Sequence, residues 1–157
     1  MTNFRDAAVV NDMVGNTSTG DWADADHQIG IIRSEFEELE KGIAERNEHE
    51  VHDGIADLLF TAYGLAHRMG YDANRDYEAM MVSQWTKFDA TEEEAARTRE
   101  KYTTLGIAVL QRDQTHPFTQ ARVIVTYSSK AQLDHQGRQI PEGKWLKSYK
   151  FQEPVYA

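Results

Sequence analysis

The stretch SEFEELEKGIAERNEHEVHDGIADLLF, residues 34–60, holds the side chains best suited to chemistry in this chain. Acidic residues come in two runs beside an apolar pattern with helical spacing. An α-helix turns about 100° per residue, so positions three, four and seven apart share a face. Glu35 and Glu38 therefore lie on one flank of the stripe through Phe36 and Leu39, with Gly42 on the same flank, where a missing side chain would let another group approach. Glu37 and Glu40 fall on the other flank. In the second run Glu50, Asp53 and Asp57 form one line, with Gly54 and Gly64 beside it. Two antiparallel helices joined at RNEHE would bring these lines together in a half-buried groove. Like charges there repel, and burial penalises each ionised form. Hard divalent cations relieve both costs, and oxygen-only ligands favour Mg²⁺ or Mn²⁺. The acids read as a cation site rather than a solubility device.

A di-iron bundle is the nearest metal rival, and it needs Glu-x-x-His on each of two helices. Arg46 stands three residues before His49, and His49 three before His52, so neither histidine supplies that motif. The chain has no cysteine, which excludes disulfides and thiolate metal sites.

The elements that must position these acids follow from periodicity. Residues 3–14 form a short apolar-periodic segment ending at Gly15, and GNTSTGDWADAD is a polar loop rich in N-cap residues. A long helix is predicted over residues 25–45, with Ile32, Phe36, Leu39 and Ile43 at core spacing. A second helix runs to Gly70 with Val51, Ile55, Leu58, Ala62, Leu65 and Met69 on its buried face. A third begins at Asp72, with Tyr77, Met81, Trp85 and Phe88 inward, and TEEEAARTREKY forms a mostly solvated helix. After Gly106 the composition turns β-branched. IAVLQ and ARVIVTY are predicted to pair as a hairpin, DHQG to turn, and GKWLKSYKF to add a short third strand. The expectation is a mainly α protein, a helical bundle over residues 1–105 with a small β appendage over residues 106–157.

Length and charge bound the function. With 157 residues and 40% apolar content the chain suits one compact domain with a real core. A formal charge of −9 argues against a nucleic-acid binder, because phosphate backbones demand cationic surfaces. No basic start followed by an apolar run opens the chain, and no apolar stretch reaches membrane-spanning length. A cytoplasmic protein without membrane partners is expected.

At these acids the chain resembles the all-α NTP pyrophosphatases, the superfamily of MazG, the dimeric dUTPases and the phosphoribosyl-ATP pyrophosphohydrolases. The shared pattern is Glu-x-x-Glu on one helix and Glu-x-x-Asp on the next, opening an apolar run. Glu35 and Glu38 supply the first part, and Asp57 stands before LLF in the second. ADLLF with a glycine one turn later is similar to the phage-encoded branch. Gly54 departs from the pattern, standing where an acid is expected three residues before Asp57. Glu50 and Asp53 form an acidic pair one turn earlier, so two registers are open. In VSQWTKF, Gln84 takes the place of a usual Asn, and Lys87 matches a phosphate-binding Lys. The C-terminal EGKWLKSYKFQEP is also similar to tails of phage members, with Lys144 and Lys147 either reaching phosphates or guarding a strand edge.

The resemblance implies a MazG-like helical bundle that hydrolyses a nucleoside triphosphate to the monophosphate and pyrophosphate. It implies Mg²⁺ or Mn²⁺ held by Glu35, Glu38, Asp53 and Asp57, with Glu50 a further candidate ligand. Glu38 would accept the proton of the attacking water, and Lys87 would neutralise pyrophosphate charge. The base would lie near Asn11, Asn16 and Trp22. Relatives build their sites between subunits, so a homodimer or homotetramer is expected, in a host cytoplasm if the chain is phage-encoded. The rival from another class is a non-catalytic helical interaction protein whose acidic flank binds a basic partner.

Overall fold

The computed structural model describes residues 2–156. Among them are five helices and four short strands. The chain divides into two compact units, Met1–Tyr77 and Glu78–Ala157.

The first unit is built on three helices: α1 (Asn3–Met13), α2 (Trp22–Glu45) and α3 (Glu48–Arg68). Each starts at a side-chain cap that satisfies an otherwise orphaned amide. Thr2 accepts from the Arg5 N–H, Asp21 from Ala23, and Asn47 from Glu50. α2 stops where Arg46 adopts a left-handed conformation (φ 53°), and Asn47 caps the next helix at once. So short a link forces α2 and α3 into an antiparallel pair. Their close approaches confirm it: Gly42 lies on Glu50, Gly54 on Leu39, and Gly64 on Gln28. α1 packs on α3 through Phe4 and Tyr63, whose rings meet edge to face at 5.9 Å. His67 and Asp12 add a contact at 2.8 Å. The loop before α2 is pinned to the end of α3, since the Thr19 and Gly20 amides both donate to the Arg68 carbonyl.

The expected core stripes are only partly buried. Ile32, Leu39, Val51, Leu58, Leu65 and Met69 are half-buried, whereas Phe36, Ile43, Ile55 and Ala62 stay exposed. The reason is geometric. A helix pair seals one line of contact, and glycines at that line bring the backbones so close that larger residues are turned outward.

α4 (Ala73–Trp85) carries the chain into the second unit. Tyr77 and Trp85, expected inward, are exposed, while Met81 is half-buried. α5 (Glu92–Thr104) is capped by Thr91 and opens with three glutamates, which suits the helix dipole. Its buried stripe is Ala95, Thr98 and Tyr102. β1 (Val109–Thr115) and β2 (Arg122–Ser128) pair antiparallel from Val109↔Ser128 to Thr115↔Arg122, the hairpin read from sequence. α5 lies on this hairpin, and the Gln111 amide donates to the Ala95 carbonyl and the Thr126 hydroxyl. β3 (Gln132–Leu133) and β4 (Gln139–Ile140) make a separate two-residue ladder around the DHQG turn.

The third strand predicted in GKWLKSYKF does not form. Trp145 makes one isolated bridge to Tyr127, and the chain then turns away because the Ser148 hydroxyl is drawn to the buried Asp89 at 2.5 Å. The unit's core gathers Tyr102, Ile107, Ile140 and Leu146. No helix among the described residues is long and apolar enough to cross a membrane.

Candidate functional site

The α2–α3 pair brings four of the predicted acids together. Glu35 is half-buried, and its carboxyl is pushed above the usual range. Burial is the largest cause, followed by the charges of Asp57, Glu38 and Asp53. Each of those three therefore lies within electrostatic reach of Glu35. Glu50 is not among them. It sits in the first turn of α3, its backbone pressed against Gly42 and its carboxylate 3.7 Å from the His49 ring.

Oxygen donors crowded by mutual repulsion suit a hard divalent cation in chemistry. In geometry they are not a finished cage. Among the described residues no three His, Asp or Glu side chains are placed to hold one ion. Glu38 and Asp53 are exposed, so their side chains can rotate toward an ion without disturbing the packing.

The glycines have a different role from the one their spacing suggested. A Cβ at Gly54 would meet Leu39 Cβ at 3.0 Å and Leu39 Cα at 3.1 Å. A Cβ at Gly42 would meet Glu50 Cβ at 2.9 Å. These positions let the helices touch, and neither opens space for a ligand. The departure at Gly54 is thus a packing feature: an acid there would point into α2.

The residues expected near a base do not form one group. Asn11 is buried, donating to the Ala7 carbonyl and accepting from Asn16 Nδ2 at 3.3 Å. The Asn16 backbone amide donates to the Asn11 carbonyl, so the pair fastens the end of α1. Trp22 instead lines an apolar cavity of about 390 Å³ with Ile29, Leu65, Met69 and Tyr71. Neither asparagine belongs to its wall.

Gln84, Lys87, Lys144 and Lys147 belong to the second unit. Lys87 lies in the turn after α4 and donates to Gln84 Oε1 at 2.5 Å, with its ammonium 4.7 Å from the Trp145 ring centre. Its pKa is lowered by burial and then by the charge of Lys147. Lys147 pairs with Glu153 at 2.6 Å and lies over the Phe151 ring. Sequence reasoning missed Lys101 and Arg138, which line the same pocket as Lys87, Lys144 and Lys147. They are distant in the chain and share no motif, so spacing gave no signal for them.

Comparison with known proteins gives one match. The model of the MazG-like family matches residues 31–105, a span that includes Glu35, Glu38, Glu50, Asp53, Asp57, Gln84 and Lys87. Asn11, Asn16, Trp22, Lys144 and Lys147 lie outside it. No curated protein and no solved structure matches the chain.

Proposed function

With residues 31–105 belonging to the MazG-like family, we propose that the protein is a nucleoside triphosphate pyrophosphohydrolase dependent on Mg²⁺ or Mn²⁺. The observation that carries this reading is the gathering of Glu38, Asp53 and Asp57 around a Glu35 whose charge they oppose. Glu35, Asp53 and Asp57 would hold the cation, and Glu50 would act at most on an outer one. The cation, when bound, supplies electrophilic polarisation of phosphate oxygens and eases deprotonation of water. Water adds to one phosphorus of the α–β bridge and the bridging P–O bond breaks. Pyrophosphate and the nucleoside monophosphate separate, and Glu38 takes the proton from the water.

The apolar cavity beside Trp22 has the size and lining for a base, with the indole as a stacking face. Exposed Phe36, Ile43, Ile55, Leu59 and Phe60 on α2 and α3 support assembly into a homodimer or homotetramer, because apolar side chains in such number gain from a second copy. A role in shaping a nucleotide pool in the cytoplasm, that of a host if the chain is phage-encoded, is consistent with this chemistry.

Gly54 gives one observation in favour of a second reading, a non-catalytic acidic bundle that only binds a partner. A panel of dNTPs with and without EDTA separates the two. The hydrolase releases pyrophosphate in Mg²⁺ and none in EDTA. Orthophosphate as first product, or no turnover of any nucleotide, overturns the proposal.

A further inference from the structure

The apolar cavity beside Trp22 holds a group that stacking on the indole leaves unused. Among the described residues that line it, Asp26 carries the only charge. The other acids at the start of α2 are both occupied: Asp21 accepts from the Ala23 amide, and Asp24 accepts from the Thr19 hydroxyl at 2.5 Å. The Asp26 carboxylate has no such partner among the described residues, and no lysine or arginine stands in the wall to neutralise it. Trp22, Asp26 and Gly30 stand at i, i+4 and i+8, so they share one face of α2, each a turn apart. An ionised carboxylate only accepts, so what this one lacks is a pair of donors.

Gly30 strengthens the observation. A glycine inside a helix is destabilising relative to alanine, and elsewhere on α2 and α3 close packing offsets that cost. Cβ atoms at Gly42, Gly54 and Gly64 would meet neighbours at 2.9, 3.0 and 3.2 Å, whereas one at Gly30 would meet nothing within 4 Å. Packing therefore gives no reason for Gly30. Helical side chains lean toward the N-terminus and cover the turn before their own Cα. Any side chain at position 30 would lie over Asp26, and glycine keeps the carboxylate open to whatever occupies the cavity.

We propose that Asp26 makes this cavity selective for guanine, by accepting from its N1–H and its 2-amino group together. The inference rests on the reading of the cavity as a base pocket and adds which base it takes. Guanine alone among the common bases has two donors side by side on one edge. Adenine and cytosine set an amino group beside a ring nitrogen with a lone pair, and thymine or uracil sets one N–H between two carbonyls. Each of those places a lone pair against the second carboxylate oxygen. Both bonds to guanine are charge-assisted, and a purine covers more of the Trp22 ring than a pyrimidine does. Asp26 is exposed, so water competes, and the expected discrimination is about tenfold, below that of a sealed site. The carboxylate repels phosphates, which leaves the base as the end of the nucleotide that enters.

The test uses the full-length chain in two assays. In EDTA, the NMR shift of the Trp22 indole N–H is followed while dGMP, dIMP, dAMP or dCMP is added. dGMP should bind about tenfold more tightly than dAMP or dCMP, and dIMP, which lacks the 2-amino group, should fall between them. In Mg²⁺, dGTP should lead dATP in kcat/KM by a similar factor. Asp26→Asn presents one acceptor and one donor, the complement of adenine or cytosine. It should narrow or invert both preferences, while Asp26→Glu keeps their order. Gly30→Leu should weaken dGMP binding with helix content unchanged. Hydrolysis of all dNTPs at equal rates, with equal binding of the monophosphates, overturns the inference and leaves the hydrolase reading standing. Selective binding of dGMP without turnover of any nucleotide does the reverse. A guanine preference untouched in Asp26→Asn overturns the role of Asp26.

Discussion

The two units solve the problem of burial in opposite ways. The second buries Tyr102, Ile107, Ile124, Val125, Ile140 and Leu146 and satisfies most of its interior polar groups, as in the contacts of Thr98 and Ser148. Among its described residues the first buries no apolar side chain larger than that of Ala7, and it exposes Phe36 at 49%, Ile43 at 58% and Leu59 at 52%. Charge divides the same way. The first unit gathers carboxylates on a helix pair, and the second gathers cations around a cavity. A self-contained core can fix a binding pocket within one chain. On the function proposed above, a helix pair with open apolar faces gains from a second copy, and its acids gain from a cation. The contrast predicts that damage in one unit should read out differently from damage in the other.

The largest expected effect breaks the first unit's chemistry alone. Glu38→Gln should lower pyrophosphate release about 10²–10⁴-fold, the range for a lost general base, with helix content unchanged. Asp57→Asn and Asp53→Asn should also lower it severely, and Glu50→Gln less, because Glu50 is not among the charges acting on Glu35. Steady-state rates in Mg²⁺ decide this. If Glu50→Gln is as damaging as Asp53→Asn while Asp57→Asn is mild, the site lies one turn nearer the link between α2 and α3.

Next comes the apolar face. Phe36→Arg should weaken self-association by about 2 kcal/mol or more, as loss of a buried aromatic anchor does. Sedimentation should then show a lighter species while Trp145 fluorescence is unchanged. A wild-type chain that is already monomeric at working concentration would remove the contrast in burial.

Paired packing variants sharpen the comparison. Ser148→Ala removes the only hydrogen bond to the fully buried Asp89 carboxylate among the described residues, at a cost of about 1–3 kcal/mol. Gly54→Ala forces a methyl against the Leu39 backbone, a misfit of about 1–3 kcal/mol. Denaturant melts should place the first loss in the α5–hairpin unit and the second in the α2–α3 pair. Gly54→Ala melting like wild type would overturn the close packing of α2 on α3 at this position.

Much of this frame was legible in the sequence. Apolar periodicity marks α1, α2 and α3, the N-cap residues of GNTSTGDWADAD precede α2, and β-branched runs mark the hairpin. The grouping of Glu35, Glu38, Asp53 and Asp57 followed from helical spacing once α2 and α3 were antiparallel. What spacing could not show is which side of a glycine faces the neighbouring helix, so Gly42 looked like open space beside the acids and Gly54 only like a missing acid. Periodicity also cannot distinguish a face buried within one chain from a face left for another, as Phe36 and Ile55 illustrate. The cationic pocket was half legible: Lys87, Lys144 and Lys147 stood out, but Lys101 and Arg138 join them only through the packing of α5 against the C-terminal segment.

The smallest effect tests the electrostatics directly. Glu35 has a folded-state pKa raised above its ordinary value, so between the two values the folded chain binds more protons than the unfolded one. Stability from this group is therefore lost as pH rises through that window, and at neutral pH its charge opposes folding. Glu35→Gln removes the opposition. In EDTA at pH 7 the variant should melt slightly higher than wild type, by less than about 1 kcal/mol because the groove is open to water. The gain should shrink as pH falls, as wild-type Glu35 takes up its proton. In Mg²⁺ the order should reverse, since a cation bound only to the native state stabilises the chain that keeps its ligand. Thermal melts at two pH values, with and without Mg²⁺, read all three signs. A variant destabilised in EDTA at pH 7 would mean that Glu35 is held by favourable contacts, and that its neighbours do not form one repelling group.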